Sequence, residues 1–95
     1  RIPAYSGAKA AVSNFTQWLA VHFAKVGIRV NAIAPGFVET DMTAALSEDL
    51  QKQMLETIPL KRYGQVDDIA QAAVFLAKNT YITGQVLHVD GGMCM

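Results

Sequence analysis

Between Tyr5 and about Val26 the chain runs without proline, and Ala8, Val12, Phe15, Leu19, Phe23 and Val26 recur at spacings of three and four, the period of one face of an α-helix. A second face, Ala10, Ser13, Gln17, Ala20 and Ala24, carries mostly small side chains, which let another helix approach closely. Two such faces predict a helix covered on two sides. Gly27 supplies the left-handed residue that commonly ends a helix. Ile28 to Ala34 then reads as a buried strand, mostly apolar and rich in β-branched residues. Pro35-Gly36 stops it, because proline has no N–H to give the ladder and glycine accepts unusual backbone angles.

Ser47 followed by Glu48 and Asp49 has the look of a capped helix start with acidic residues at the positive end of the dipole. That helix should run to about Glu56, ahead of Pro59, so that 41 to 58 forms a short helical excursion. The next helix, about Val66 to Asn79, places Asp67 and Asp68 in its first turn and turns Ile69, Ala73, Phe75 and Leu76 inward. Gly84 leads into a short strand, Gln85 to Asp90, ended by Gly91-Gly92. Helix, strand, helix, helix, strand requires a parallel crossover and hence an α/β fold. Two strands alone are marginal, and parallel sheets are covered by helices on both faces. The pattern therefore predicts further strands, from chain outside this sequence or from another subunit.

Composition strengthens that expectation. Hydrophobic residues make up 52% and charged residues 17% of the 95 positions, more apolar than a small self-sufficient domain needs. A chain this short buries only roughly 60 to 65% of its unfolded surface, so some of its face should want a partner. Eight basic residues balance eight acidic ones, which removes the electrostatic footprint of nucleic-acid binding. Asn31, Pro35 and Lys78 interrupt the apolar runs well short of the roughly 20 residues that cross a bilayer, so no membrane is expected. The single Cys94 has no disulfide partner and no companions for a zinc site, which fits a reducing compartment, the cytoplasm. The start at Arg1 rather than Met leaves a leader peptide open.

Chemistry enters with Tyr5 and Lys9, four residues apart and so on the same side of one helix. An unperturbed phenol titrates near pH 10, and an ammonium within roughly 4 to 6 Å favours the phenolate, lowering that value by about 1 to 3. Such a phenol carries protons near neutrality. The pair alone is common on helices, where it is ordinarily a rim phenol beside a solvated ammonium, so the surrounding residues must decide.

Tyr5-Ser-Gly-Ala-Lys9-Ala-Ala-Val resembles the Tyr-x-x-x-Lys helix of the short-chain dehydrogenase/reductases, and Ile28 to Gly36 resembles the strand and Pro-Gly turn that follow it. Val38-Glu39-Thr40-Asp41-Met42 is similar to the family's cofactor-side loop, and Tyr81 to Gln85 with Asp90-Gly91-Gly92 to its last strand. The blocks stand in family order over nearly the whole chain. The resemblance implies the C-terminal half of a Rossmann-like doubly wound parallel sheet, residues 1 to 95 being its catalytic-helix and substrate-lid portion. It implies NAD or NADP as cofactor and a small-molecule carbonyl or alcohol as substrate. Tyr5 is then the general acid and base, and Lys9 lowers its pKa and holds the nicotinamide ribose. Pro35, Gly36 and Val38 lie against the nicotinamide, and Thr40 bonds its carboxamide or the pyrophosphate. Ligands of open α/β sheets do bind beyond the carboxyl ends of strands. A homodimer or homotetramer is implied as well.

The glycine-rich phosphate turn, the residue that selects between the two cofactors, and the family's active-site Ser and Asn all belong upstream of Tyr5, and the chain holds none of them. The isolated chain is therefore expected to be inactive, and the competing reading is a non-catalytic oligomerising fragment or assembly module. Substrate cues divide. Phe37 to Leu46 and the end from Ile82 resemble 3-oxoacyl-acyl-carrier-protein reductases, whereas Ala11 to Ala20 is more similar to reductases of sugar acids such as fructuronate and mannonate. Val26 stands where the carrier-protein reductases have a docking arginine. Residues 41 to 62, the family's lid, carry Met42, Leu46, Leu50, Met54 and Leu55, which suit core packing slightly better than an apolar substrate. His22 reads as a packed, hydrogen-bonded histidine, and His88 as no metal ligand. Trp18 reads as an interface residue, and Cys94 as a tail or interface residue.

Overall fold

The computed structural model describes residues 3–93, with side chains from Gly7 onward, so the Tyr5 side chain and Cys94 lie outside the described residues. The element order is α1 (Pro3–Ala24), β1 (Ala32–Pro35), α2 (Asp41–Ala44), α3 (Glu48–Glu56), α4 (Val66–Lys78) and β2 (Val86–Val89). The two strands pair. Ala32 N–H donates to Gln85 O (2.8 Å) and Gly36 N–H to Val89 O (3.1 Å). Both numbers rise together by four, so the pairing is parallel, as the crossover requires. The class is α/β. The chain falls into two compact units, one running to Ala32 and including Phe75–Leu87, the other comprising Ile33–Val74 and the residues from His88 onward.

In the first unit α1 ends where the sequence says it should. Gly27 takes φ +76°, Gly27 N–H donates to Ala24 O (3.0 Å), and Ile28 N–H donates to Phe23 O (3.1 Å). These are the two bonds of a Schellman motif, with Val26 as the cap residue. Of the small-residue face of α1 only Ala20 is buried, at 4% exposure, while Ser13 is half-buried and Ala10, Gln17 and Ala24 are exposed; Thr16, outside that set, is buried at 5%. The Thr16 hydroxyl is satisfied by Val12 O (2.7 Å). Gly84 comes close to this helix, since a Cβ there would sit 3.4 Å from that of Ala20. The apolar stripe expected to be covered is open instead. Val12, Phe15, Phe23 and Val26 are exposed, because the described residues supply nothing to lie on it.

The strand expected over Ile28 to Ala34 is shorter and only half-buried. Before Ala32 one backbone bond, from Gly84 N–H to Val30 O (2.7 Å), is supplemented by side chains. Val30 N–H donates to the Thr83 hydroxyl (3.0 Å), Asn31 Nδ2 to Ile82 O (3.0 Å), and Gln85 N–H to Asn31 Oδ1 (3.0 Å). Pro35 is the last strand residue, where its missing N–H costs nothing to a ladder that is ending.

Arg29 ties the α1–β1 connection to the C-terminus of α4. Its guanidinium donates to the carbonyls of Leu76 (2.8 Å), Asn79 (3.0 Å), Ile82 (3.1 Å) and Ala77 (2.9 Å). The last carbonyls of a helix have no partner within it, and a cation at that end also complements the dipole. Of the residues expected to face inward on α4, Leu76 is buried, whereas Phe75 is 51% exposed, Ala73 is exposed and Ile69 is half-buried.

In the second unit α3 is capped by the Ser47 hydroxyl, which accepts from Leu50 N–H (3.2 Å), and it ends at Glu56, both as expected. A separate short helix, α2, precedes it, so the 41 to 58 excursion is two helices. Ile58, 1% exposed, fills the centre of this unit. A Cβ on Gly91, whose φ is +65°, would fall 2.7 Å from Ile58 Cγ2, so only glycine fits there.

Replacing Arg29 by Ala should destabilise the fold by about 1 to 3 kcal/mol, the worth of charge-assisted hydrogen bonds to helix-end carbonyls. Denaturant unfolding of the two proteins measures it, and Arg29→Lys should recover only part, since an ammonium lacks the planar fork.

Candidate active site

Tyr5 and Lys9 both fall within α1, one turn apart, with a rise of roughly 6 Å between their Cα atoms. The Lys9 side chain is exposed. The other four candidates, Pro35, Gly36, Val38 and Thr40, lie in one six-residue stretch of the second unit, from the end of β1 to the cap of α2.

Gly36 is held by the protein itself. A Cβ there would meet Asp90 Cβ at 2.7 Å and Asp90 Cα at 2.9 Å, so the glycine lets β1 and the residue after β2 close on each other. Thr40 is the N-cap of α2. Its hydroxyl accepts from Thr43 N–H (3.4 Å), and its own N–H donates to the Thr43 hydroxyl (2.8 Å). The ordinary helix-cap role of Thr40 is thus present, and the hydroxyl proton is left for another acceptor.

Val38 differs from both. It forms an isolated parallel bridge with Gly64, in which Gly64 N–H donates to Phe37 O (2.9 Å) and Glu39 N–H to Gly64 O (2.8 Å). The neighbours of Val38 make the bonds, so its own N–H and C=O point to the opposite side. Among the described residues neither has a hydrogen-bond partner. Val38 is half-buried, and a half-buried backbone donor and acceptor left open side by side are unusual.

Other polar groups also gather in this unit. Arg62, Asp68, His88 and Asp90 help line an open hollow of about 590 Å3 with Leu60 and Gly91. Asp68 Oδ2 lies 3.6 Å from Arg62 Nη1, and His88 Nδ1 lies 3.9 Å from Asp90 Oδ2. Tyr63 Oη and His88 Nδ1 are buried and make no hydrogen bond to the described residues. None of this cluster was singled out from the sequence for chemistry. The one signal available was Asp68, three positions after Gln65, the spacing at which an acidic residue reaches back to the start of a helix. His22, expected to be packed and hydrogen-bonded, is instead exposed and stacks on Trp18 with ring centroids 5.1 Å apart and planes 6° apart. Among the described residues no cluster of His, Cys, Asp and Glu is arranged to hold a metal ion, and no helix is long and apolar enough to cross a membrane.

The family model described as enoyl-(acyl carrier protein) reductase matches residues 1–94. The chain belongs to the short-chain dehydrogenase/reductase family. It is 56% identical over 93 residues to a 3-oxoacyl-[acyl-carrier-protein] reductase of Staphylococcus epidermidis, a match covering 96% of this chain and 38% of that protein. The corresponding reductase of Chlamydia muridarum is 52% identical over 91 residues, covering 94% of this chain and 37% of the relative. An uncharacterized oxidoreductase of Haemophilus influenzae is 49% identical over 102 residues, covering 97% and 36%. The chain thus spans little more than a third of the length of these relatives.

The family's nicotinamide cofactor fits what Val38 offers. A primary carboxamide both donates and accepts, and the open C=O and N–H of Val38 match those two functions. Thr40, with its hydroxyl proton still to give, is a second donor two residues away.

Gly36→Ala should cost about 1 to 3 kcal/mol through overpacking against Asp90, with no ligand present. A melting curve of the ligand-free protein tests this. An unchanged midpoint would mean that the close approach is not a constraint.

Proposed function

We propose that residues 1–95 form the C-terminal, proton-transferring portion of an NAD(P)-dependent oxidoreductase that reduces a carbonyl, or oxidises the matching alcohol. The observation that carries this reading is the 56% identity to a 3-oxoacyl-[acyl-carrier-protein] reductase across 96% of the chain, with Tyr5 and Lys9 one turn apart on α1. When bound, the nicotinamide supplies the hydride to the carbonyl carbon or removes it from the alcohol. The Tyr5 hydroxyl delivers the proton to the carbonyl oxygen and takes it back in the oxidative direction. Lys9 favours the phenolate by its charge and donates to the ribose hydroxyls. Val38 takes the carboxamide by its backbone, Thr40 donates to the carboxamide or pyrophosphate, and Pro35 and Gly36 form the wall beside the ring.

The substrate favoured is a 3-oxoacyl thioester, as the names of the relatives indicate. Val26 in place of a docking arginine implies that a carrier protein would be held by other contacts, and the exposed Lys25 beside it offers the charge. The choice between NAD and NADP rests on residues this sequence does not contain. No glycine-rich turn cradles phosphates in the 95 residues, so the chain on its own should bind cofactor weakly and turn nothing over. The compartment proposed is the cytoplasm.

In the polypeptide that carries residues 1–95 in the cell, Tyr5→Phe should lower kcat by about 100-fold or more, the scale of a lost general acid. Lys9→Met should lower kcat and raise the KM for cofactor together. Nicotinamide absorbance follows both, and undiminished turnover by Tyr5→Phe would remove the mechanism.

A second reading, an assembly surface, is favoured by Phe15, Trp18, Val21 and Val26 of α1 and its end, 64%, 61%, 72% and 69% exposed. We propose that this face is covered in a homodimer or homotetramer. Light scattering should return two or four times the chain mass, and Phe15→Glu should reduce it. A folded monomer would count against this interface without touching the chemistry.

A further inference from the structure

We propose that Asp68 is a positioning residue for nicotinamide binding, acting through Gly64 on the open N–H and C=O of Val38; the inference rests on the carboxamide reading of Val38 given above. The residues Phe37 to Glu39 make their backbone hydrogen bonds, among the described residues, to Gly64 alone. Gly64 therefore sets the direction in which Val38 presents its free pair. Asp68 in turn anchors the residue that follows Gly64. Its Oδ2 accepts from Gln65 N–H at 2.7 Å, and the same oxygen lies 3.6 Å from Arg62 Nη1. A smaller tie spans the bridge directly, from Gln65 Nε2 to Glu39 Oε1 at 3.2 Å.

Magnitudes separate the two functions of Asp68. The Arg62 side chain is 61% exposed, so that ion pair is screened and contributes little. The short bond to Gln65 N–H fixes the residue that follows Gly64 and immediately precedes α4, and an acceptor oxygen is all it needs. Asparagine should therefore serve almost as well as aspartate, whereas alanine frees the Gly64 segment. Once freed, Val38 loses the fixed orientation that spares a ligand the cost of ordering it.

The test compares two ligands in the polypeptide that carries residues 1–95 in the cell. Calorimetry gives the affinity for the oxidised dinucleotide and for the matching ADP-ribose, which lacks the nicotinamide ring. Wild type should prefer the dinucleotide. Asp68→Ala should weaken dinucleotide binding by about threefold to tenfold, the net worth of one or two hydrogen bonds, with ADP-ribose affinity unchanged, and Asp68→Asn should keep the preference. An undiminished preference in Asp68→Ala, or equal losses for both ligands, would overturn the inference. A wild type that shows no preference, or binds neither ligand, would instead overturn the nicotinamide reading of Val38. If Asp68→Ala does not fold, Gln65→Pro, which removes the N–H that Asp68 accepts, should show a loss of about twofold or more in the same direction, and an unchanged preference there overturns the inference equally.

Discussion

At the carboxyl ends of β1 and β2 the backbones of Gly36 and Asp90 approach so closely that a Cβ on Gly36 would lie 2.9 Å from the Asp90 Cα, a distance no side chain tolerates. The strands are only four residues each, so their pairing has little redundancy, and the bond from Gly36 N–H to Val89 O closes its far end. That closure sets the point from which Phe37 to Thr40 departs. With its start fixed at Gly36 and its middle fixed on Gly64, the segment has one remaining direction for the polar groups of Val38. The candidate site in this unit is thus a consequence of strand geometry before it is a matter of side-chain chemistry.

Features whose causes are local could be read from the sequence, and those with distant causes could not. Ser47 caps α3 from three residues away, and Gly27 ends α1 through two bonds within the same six residues, so both boundaries were legible. The strand at 28 to 34 was overestimated because its length depends on where β2 begins and on Asn31 and Thr83, whose side chains bond across more than fifty residues. Arg29 carries no local signal for its role, since the carbonyls it meets lie 47 to 53 positions away.

The same division applies to the site. Pro35-Gly36 marked the end of β1 correctly, yet the demand for glycine at 36 comes from Asp90, far along the chain. Val38 was singled out by family resemblance, and nothing in a valine side chain says that its peptide groups are open. That property follows from the bridge to Gly64, which no periodicity reports. Burial was the least legible quantity of all. The stripe on α1 has the period of a covered face, but period shows only that residues share a side, not that a neighbour is present to cover it.

Two different relations between apolar surface and function therefore occur in one chain. Thr16, Ala20 and Leu76 in the first unit and Ile58 in the second are buried, each packing within its own unit. The exposed residues of α1 form a surface on the very helix that carries Tyr5 and Lys9. The proton transfer proposed for them would need those two side chains held to a fraction of an ångström, and a long helix covered on one side alone is a poor mount for such precision. Covering the other side would remove apolar area from water, at roughly 25 cal/mol per Å2, and would stiffen the helix in the same step. The proposed assembly and the proposed catalysis are then not rival readings of α1, because a contact that satisfied its apolar face would also keep Tyr5 and Lys9 in register.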